Sequence, residues 1–156
     1  MTPYENVIDR FERKIKEDKS YFTYEGLTLD EVLEIVNKRS IELLDDAIVE
    51  FQPMVAIQQN VDFFNKDDIM EQFKFNLTKV EEDLLSDLMV IKLYEEQSVR
   101  LKELQKYLGK DIKVFSPNEE RQTFMSMLKD KYDRFEAKVS KYNTIDRNTG
   151  KFLLAY

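Results

Sequence analysis

A hydroxyl residue followed three places later by glutamate occurs four times in this chain, at Thr2/Glu5, Thr28/Glu31, Thr78/Glu81 and Ser116/Glu119. At that spacing the hydroxyl accepts from an early helical N–H, and the carboxylate reaches back to the N–H of the cap residue. Proline stands directly after the hydroxyl at Pro3 and Pro117, where the first helical turn has no use for its missing donor. Each such cap contributes about 1 kcal/mol. The chain therefore announces four helix starts, and its fold must accommodate four helices.

The apolar spacing agrees. Tyr4, Val7, Ile8, Phe11 and Ile15 share one face of a first helix that stops near Asp18. In the second, Leu27 and Val32 bracket the cap as a hydrophobic staple, a stripe runs at steps of three and four from Leu29 to Phe51, and Pro53 ends it. The third runs from Thr78 to Leu108 with Gly109 as its C-cap. Its middle, "LLSDLMVIKLY", is apolar nearly all round, which places it at the centre of a bundle or against neighbours on two sides. The fourth starts at Ser116 and carries Phe124, Met127, Leu128, Tyr132, Phe135, Val139 and Tyr142 on its stripe. Between the second and third, residues 54–76 lose periodicity, compatible with a long loop, a short hairpin or a short helix over Asp67–Phe73. The expected architecture is all-α: a four-helix bundle-like single domain over 1–142, an irregular insert at about 54–76, and an extended C-terminal arm over 143–156.

Three glycines and three prolines are too few for an all-β fold rich in tight turns, and the absence of cysteine removes a disulfide framework. Charges begin at the fifth residue, so the start does not read as a signal peptide, and no run is long and apolar enough to span a bilayer. A soluble protein of a reducing compartment is expected. The net charge of −7 is uneven: from Arg121 onward eight Lys/Arg face four Asp/Glu, so the first 120 residues carry −11. An acidic body argues against general nucleic-acid binding. The basic last third reads as a solvated helix face or as a contact for an acidic partner.

Chemistry is scarce. With no histidine and no cysteine there is no Ser–His or Cys–His nucleophile and no common zinc set. Gly26, Gly109 and Gly150 are isolated, so no phosphate loop exists. Glu81, Glu82 and Asp83 belong to a first helical turn, where acids complement the dipole. Asp45 and Asp46 read as a solvated face. Asp62, Asp67 and Asp68 remain as loose candidates for magnesium, and "DRNTG" reads as a turn because a calcium loop needs a later acid. No catalytic residue, cofactor or metal is assigned, and an enzyme is not expected.

Three places look unfinished as core. In the terminal "KFLLAY", Phe152, Leu153, Leu154 and Tyr156 have no helix to join. They either add a strand to another chain's sheet edge or fold back on their own bundle. Phe63 and Phe64 are adjacent, so an extended chain turns one inward and one outward. Tyr21, Phe22 and Tyr24 cover a bundle end or form a contact patch. The first two places supply the candidate partner-binding residues.

Four stretches in order resemble the small helical head–tail connector (adaptor, or neck) proteins of tailed bacteriophages. They are "TPYENVIDRFERKIKED", "FNLTKVEEDLLSDLMVIKLYEEQ", "VFSPNEERQTFMSMLKDKYDRFEAKVSKY" and the short arm beyond Tyr142. The resemblance implies a structural virion protein of the neck, assembled in the host cytoplasm. It implies a homo-oligomeric ring, typically of twelve copies, bound to the portal protein on one side and to a downstream neck or tail protein on the other. The arm would contact the portal, and the insert a neighbour or the tail side. No catalytic residue, membrane contact or specific nucleic-acid site is carried over, although DNA would pass through the ring, where an acidic wall repels phosphate. A tail-assembly chaperone, a small acidic inhibitor of a nucleic-acid-binding enzyme and an acid-rich metal enzyme are the other readings.

Overall fold

The computed structural model describes residues 1–15, 28–108 and 117–153, and within them the chain is mostly helical. In order come β1 (Thr2–Pro3), α1 (Tyr4–Lys14), α2 (Leu29–Phe51), two 3-10 turns (Gln52–Met54 and Ile57–Gln59), β2 (Lys66–Asp67), β3 (Gln72–Phe73), α3 (Lys79–Leu108) and α4 (Pro117–Tyr142). The expected all-α bundle is present, with a three-stranded antiparallel sheet, order β1-β3-β2, added at one end. The insert thus holds a hairpin, and Asp67–Phe73 is not helical. The aromatics at 21, 22 and 24, the staple residue Leu27, the C-cap Gly109 and the hydroxyl cap Ser116 lie outside the described residues.

Two capping boxes form as spelled. Thr28 accepts from the Glu31 N–H while its own N–H donates to Glu31, and Thr78 and Glu81 do the same. The box at Thr2 does not form. Pro3 drives the residue before it into extended backbone, so Thr2 pairs in β1 with Phe73 and its Oγ1 accepts instead from Leu77 N at 2.9 Å. Pro3 itself becomes the N-cap without a side-chain bond, and the first N–H of α1, Tyr4, donates to the Glu71 carbonyl at 2.8 Å. Glu71 adopts φ 50°, a left-handed turn conformation that costs a non-glycine residue about 1–2 kcal/mol. That geometry closes the hairpin whose carbonyl satisfies α1.

Helix α3 is the shared wall, touching α1, α2 and α4. Its Leu84, Leu85, Leu88, Met89, Val90, Ile91, Leu93 and Tyr94 are all buried, which is why its middle is apolar on every side. Among the described side chains of α2, the buried ones lie in its second half, from Ser40 to Phe51, while Leu33 on its first half stands exposed. The length of α1 explains part of this: 11 residues reach about 16 Å, against about 45 Å for the 30 of α3.

At the end where α1 starts, α2 ends, α3 starts and α4 ends, a chain of aromatic contacts crosses the bundle. Tyr4 meets Phe73, Phe73 meets Phe75, Phe75 meets Phe63, and Phe63 meets Phe51, which also touches Phe135 and Tyr142. The insert is therefore a cap on the core. Phe63 is wholly buried in it and Phe64, its neighbour, is 49% exposed; the two stand in a turn, closed by Asn65 N donating to the Asp62 carbonyl, and not on an extended stretch. Replacing Phe63 with alanine should cost about 3–5 kcal/mol, and the same change at Phe64 less than about 0.5 kcal/mol. Urea unfolding of the two variants checks this, and equal losses would contradict the packing.

Candidate interaction surface

The cap is fixed to the helices by a buried ion pair. Glu81 lies at the third position of α3 and is fully buried. Its carboxylate accepts from Arg147 Nε at 2.5 Å and Nη2 at 3.1 Å, from the Tyr142 hydroxyl at 2.8 Å, and from Thr78 N at 2.9 Å. Arg147 Nη2 also donates to the Asn76 carbonyl at 2.8 Å, and its guanidinium lies over the Phe75 ring. Burial, and then the charge of Glu81, push the Tyr142 hydroxyl far above the usual tyrosine range, so it stays protonated as a donor. Gln59 completes the fastening: Nε2 donates to the carbonyls of Tyr142 and Ile145, and Oε1 accepts from Arg147 N.

These bonds decide the fate of the C-terminal segment, which folds back on the bundle through Leu153 and does not extend away. Ile145 and Phe152 pair antiparallel, and Leu153 N donates to the Thr144 carbonyl. The turn forms as the "DRNTG" reading expects, with Asp146 Oδ1 accepting from Asn148 N and Thr149 N and Gly150 at φ 69°. The Thr149 and Asn148 N–H groups hold the Asp146 carboxyl below its usual range. Beside this hairpin a groove of about 520 Å³ opens between the first turn of α3 and the last turns of α4, with Val80, Leu84, Ile145 and Tyr142 among its lining.

Two further clusters brace the cap and the bundle. Lys66 on β2 sits 2.6 Å from Asp68 and 3.1 Å from Asp45 of α2, and the Tyr4 hydroxyl donates to Asp68 at 2.7 Å. Burial alone would lower Lys66, but Asp68 and Asp45 outweigh it and raise it, while Lys66 and then Tyr4 hold Asp68 low. Asp45 is thus part of a tie between elements and not simply a solvated face. On the other side Lys14 and Lys138 both reach Asp83 and Asp87, at 2.7–3.2 Å. Glu82, also buried, pairs with Arg10 at 3.1 Å. Burial would raise Asp83, yet Lys14 and Lys138 bring it below the usual range. The acids of this first turn are therefore counterions for three other elements as well as partners of the helix dipole. Asp62 and Asp67 accept backbone N–H groups of their own turns. No group of three potential metal ligands converges among the described residues. Among the described residues no helix is long and apolar enough to cross a membrane.

Of the six candidate contact residues, Phe152 is 80% exposed, Leu153 is partly buried, Phe64 is half exposed, and Leu154 and Tyr156 lie outside the described residues. Phe63 is withdrawn from that set because the core covers it completely. The cap also presents apolar side chains that sequence reasoning missed: Ile57 and Ile69, each 93% exposed, and Met70, 65% exposed. Ile69 and Met70 form the tip of the β2–β3 hairpin, and Ile57 opens the 3-10 turn that carries Gln59. The only local sign was an apolar pair following Asp67 and Asp68 with no stripe to serve.

Arg147→Ala should cost about 3–5 kcal/mol, since it strands a buried carboxylate. Adding Glu81→Gln and changing Arg147 to Met instead should recover about half of that or more, read by thermal and urea unfolding. Because Asp83 titrates low in the folded state, its contribution is complete above about pH 4 and lost as pH falls through its lowered value. Asp83→Asn should therefore flatten, without abolishing, the acid limb of Tm against pH, since Asp68 and Asp146 are held low as well. An unchanged acid limb would contradict the assignment. No family model, curated protein or solved structure matches this chain.

Proposed function

We propose that the chain is a structural assembly subunit of the head–tail connector kind, forming a ring that joins a portal to the next neck or tail component of a tailed phage. The observation that carries this reading is the end cap: Ile57, Phe64, Ile69, Met70 and Phe152 are exposed on backbone already fixed by strand pairing, turns and the Glu81–Arg147 pair. Exposed apolar side chains on pre-ordered backbone lose little entropy when a partner covers them. Lys66, Asp68 and Arg147 hold the cap to the bundle and Asp62 and Asp67 close its turns, which suits an adaptor better than an active site. The ordered sequence resemblance supplies the identity of the partner, and the cap supplies the face.

Native mass spectrometry of this protein mixed with the portal encoded near it tests the reading. One subunit per portal subunit is expected, with the complex weakened by deleting Lys151–Tyr156 and by Ile69→Ser with Met70→Ser. Absence of any complex with the full chain would overturn the connector reading.

A further inference from the structure

The loop at the tip of the β2–β3 hairpin, residues 68–71, presents two apolar side chains that the copy itself leaves open, Ile69 almost wholly exposed and Met70 mostly so. Its backbone is nevertheless held at both ends. Asp67 Oδ1 accepts from Ile69 N at 2.9 Å and from Met70 N at 3.1 Å. Asp68 accepts from the Tyr4 hydroxyl and from Lys66, and the Glu71 carbonyl accepts from Tyr4 N. Tyr4 is buried, so the loop hangs on a residue of the core. Ordering of the tip is complete before any partner arrives, which lowers the entropy lost on contact.

The same loop carries a surplus of charge that the fold does not neutralise. Asp67, Asp68 and Glu71 surround the two apolar residues. Lys66, the cation beside them, is shared between Asp68 at 2.6 Å and Asp45 of α2 at 3.1 Å. Asp67 accepts backbone N–H groups of its own turn, which leave its charge in place. No ion pair engages Asp67 or Glu71 among the described residues. Lys74, just past β3, bonds through its N–H to the Asn65 carbonyl at the other end of the hairpin. An acidic collar of this kind is repelled by the phosphates of nucleic acid and by the anionic lipids of a membrane surface. A protein pocket with an apolar floor and lysine or arginine around its rim accepts both the collar and the side chains inside it.

We infer that this tip is the part of the cap that enters the partner protein, seating Ile69 and Met70 in an apolar pocket whose rim carries lysine or arginine opposite Asp67 and Glu71. The inference rests on the connector reading and adds to it the chemistry of the partner's surface. The two kinds of side chain then have separable effects. The carboxylates act over a distance and raise the rate of encounter, whereas the dehydrated apolar pair governs how long the complex lasts. Burial of one side chain of that size strengthens binding at least about tenfold.

Biolayer interferometry of the full chain on the immobilised portal encoded near it separates these effects. Asp67→Asn with Glu71→Asn removes two charges and keeps the turn. Asparagine retains the Oδ1 acceptor at 67 and tolerates the left-handed backbone at 71. At about 0.05 M salt this variant should associate at least about fivefold more slowly than wild type, with dissociation little changed. By about 1 M salt, where screening shortens to about 3 Å, the two association rates should converge. Ile69→Ser with Met70→Ser should instead dissociate at least about tenfold faster while association keeps its wild-type dependence on salt. If circular dichroism shows the double asparagine variant to be unfolded, Glu71→Lys on its exposed side chain replaces it, with the same order of effects. Wild-type association that is indifferent to salt, or a charge variant that binds as wild type does, overturns the inference and leaves the connector reading standing. Association of the chain with itself that Ile69→Ser with Met70→Ser abolishes also overturns it, by giving the tip to a second copy. Absence of binding by the full chain overturns the connector reading and this inference with it.

Discussion

The Glu81–Arg147 pair joins two parts of the chain separated by 66 residues, and the end cap is arranged around it. A carboxylate removed from water is costly unless its oxygens are fully engaged. Glu81 meets that condition with a guanidinium, a phenol hydroxyl and a backbone N–H. Each of these partners comes from a different place: the C-terminal hairpin, the end of α4 and the cap of α3 itself. The energetic demand of one buried charge thus specifies where three segments meet. Arg147 extends the constraint to the insert through the Asn76 carbonyl and the Phe75 ring. An apolar substitute at this site would be as compact, but it would not choose among the orientations of a ten-residue hairpin.

Around that hub the bundle depends on the unusual character of α3. Its apolar middle serves α1, α2 and α4 at once, while Glu82 and Asp83 at its start and Asp87 further along pair with Arg10, Lys14 and Lys138. Apolar packing without direction and ion pairs with direction share one helix, since Asp87 and Lys92 make their pairs from within the buried stretch. The cap can carry exposed isoleucine, methionine and phenylalanine because its own anchorage lies elsewhere: Phe63, Phe73 and Leu77 are buried beneath it.

Local rules made the helices legible. Thr28 and Thr78 cap where their glutamates indicate, Pro53 lies just past the end of α2 within the turn that follows, and the all-round apolar run of α3 predicts its central place. The same rules misread Thr2, where the extended preference imposed by Pro3 outweighs the capping spacing and passes the hydroxyl to Leu77. They also read Glu81 only as a favourable acid in a first turn. Its second role rests on Arg147 and Tyr142, more than 60 residues away, and no short-range pattern encodes such a meeting. The hairpin at 66–73 was one of three open possibilities because two-residue strands carry no period; its register is set by Thr2 and Phe73 across the sheet.

The charge asymmetry of the sequence has a structural answer that neither of its first two readings supplied. The chain is acidic before residue 120 and basic after it, and part of that basic surplus is consumed internally. Lys138 and Arg147 neutralise acids of α3 that would otherwise repel one another at its first turns. Lys131 lies over the Tyr94 ring, and Arg134 pairs with the exposed Asp130 of its own helix. Segregating charge along the sequence therefore makes α4 the electrostatic complement of α3 within one copy. The central acidic helix is balanced from several directions at once: Arg10 and Lys14 of α1, Arg39 of α2 and Lys138 of α4 each meet one of its carboxylates, so that one helix sets the position of three others.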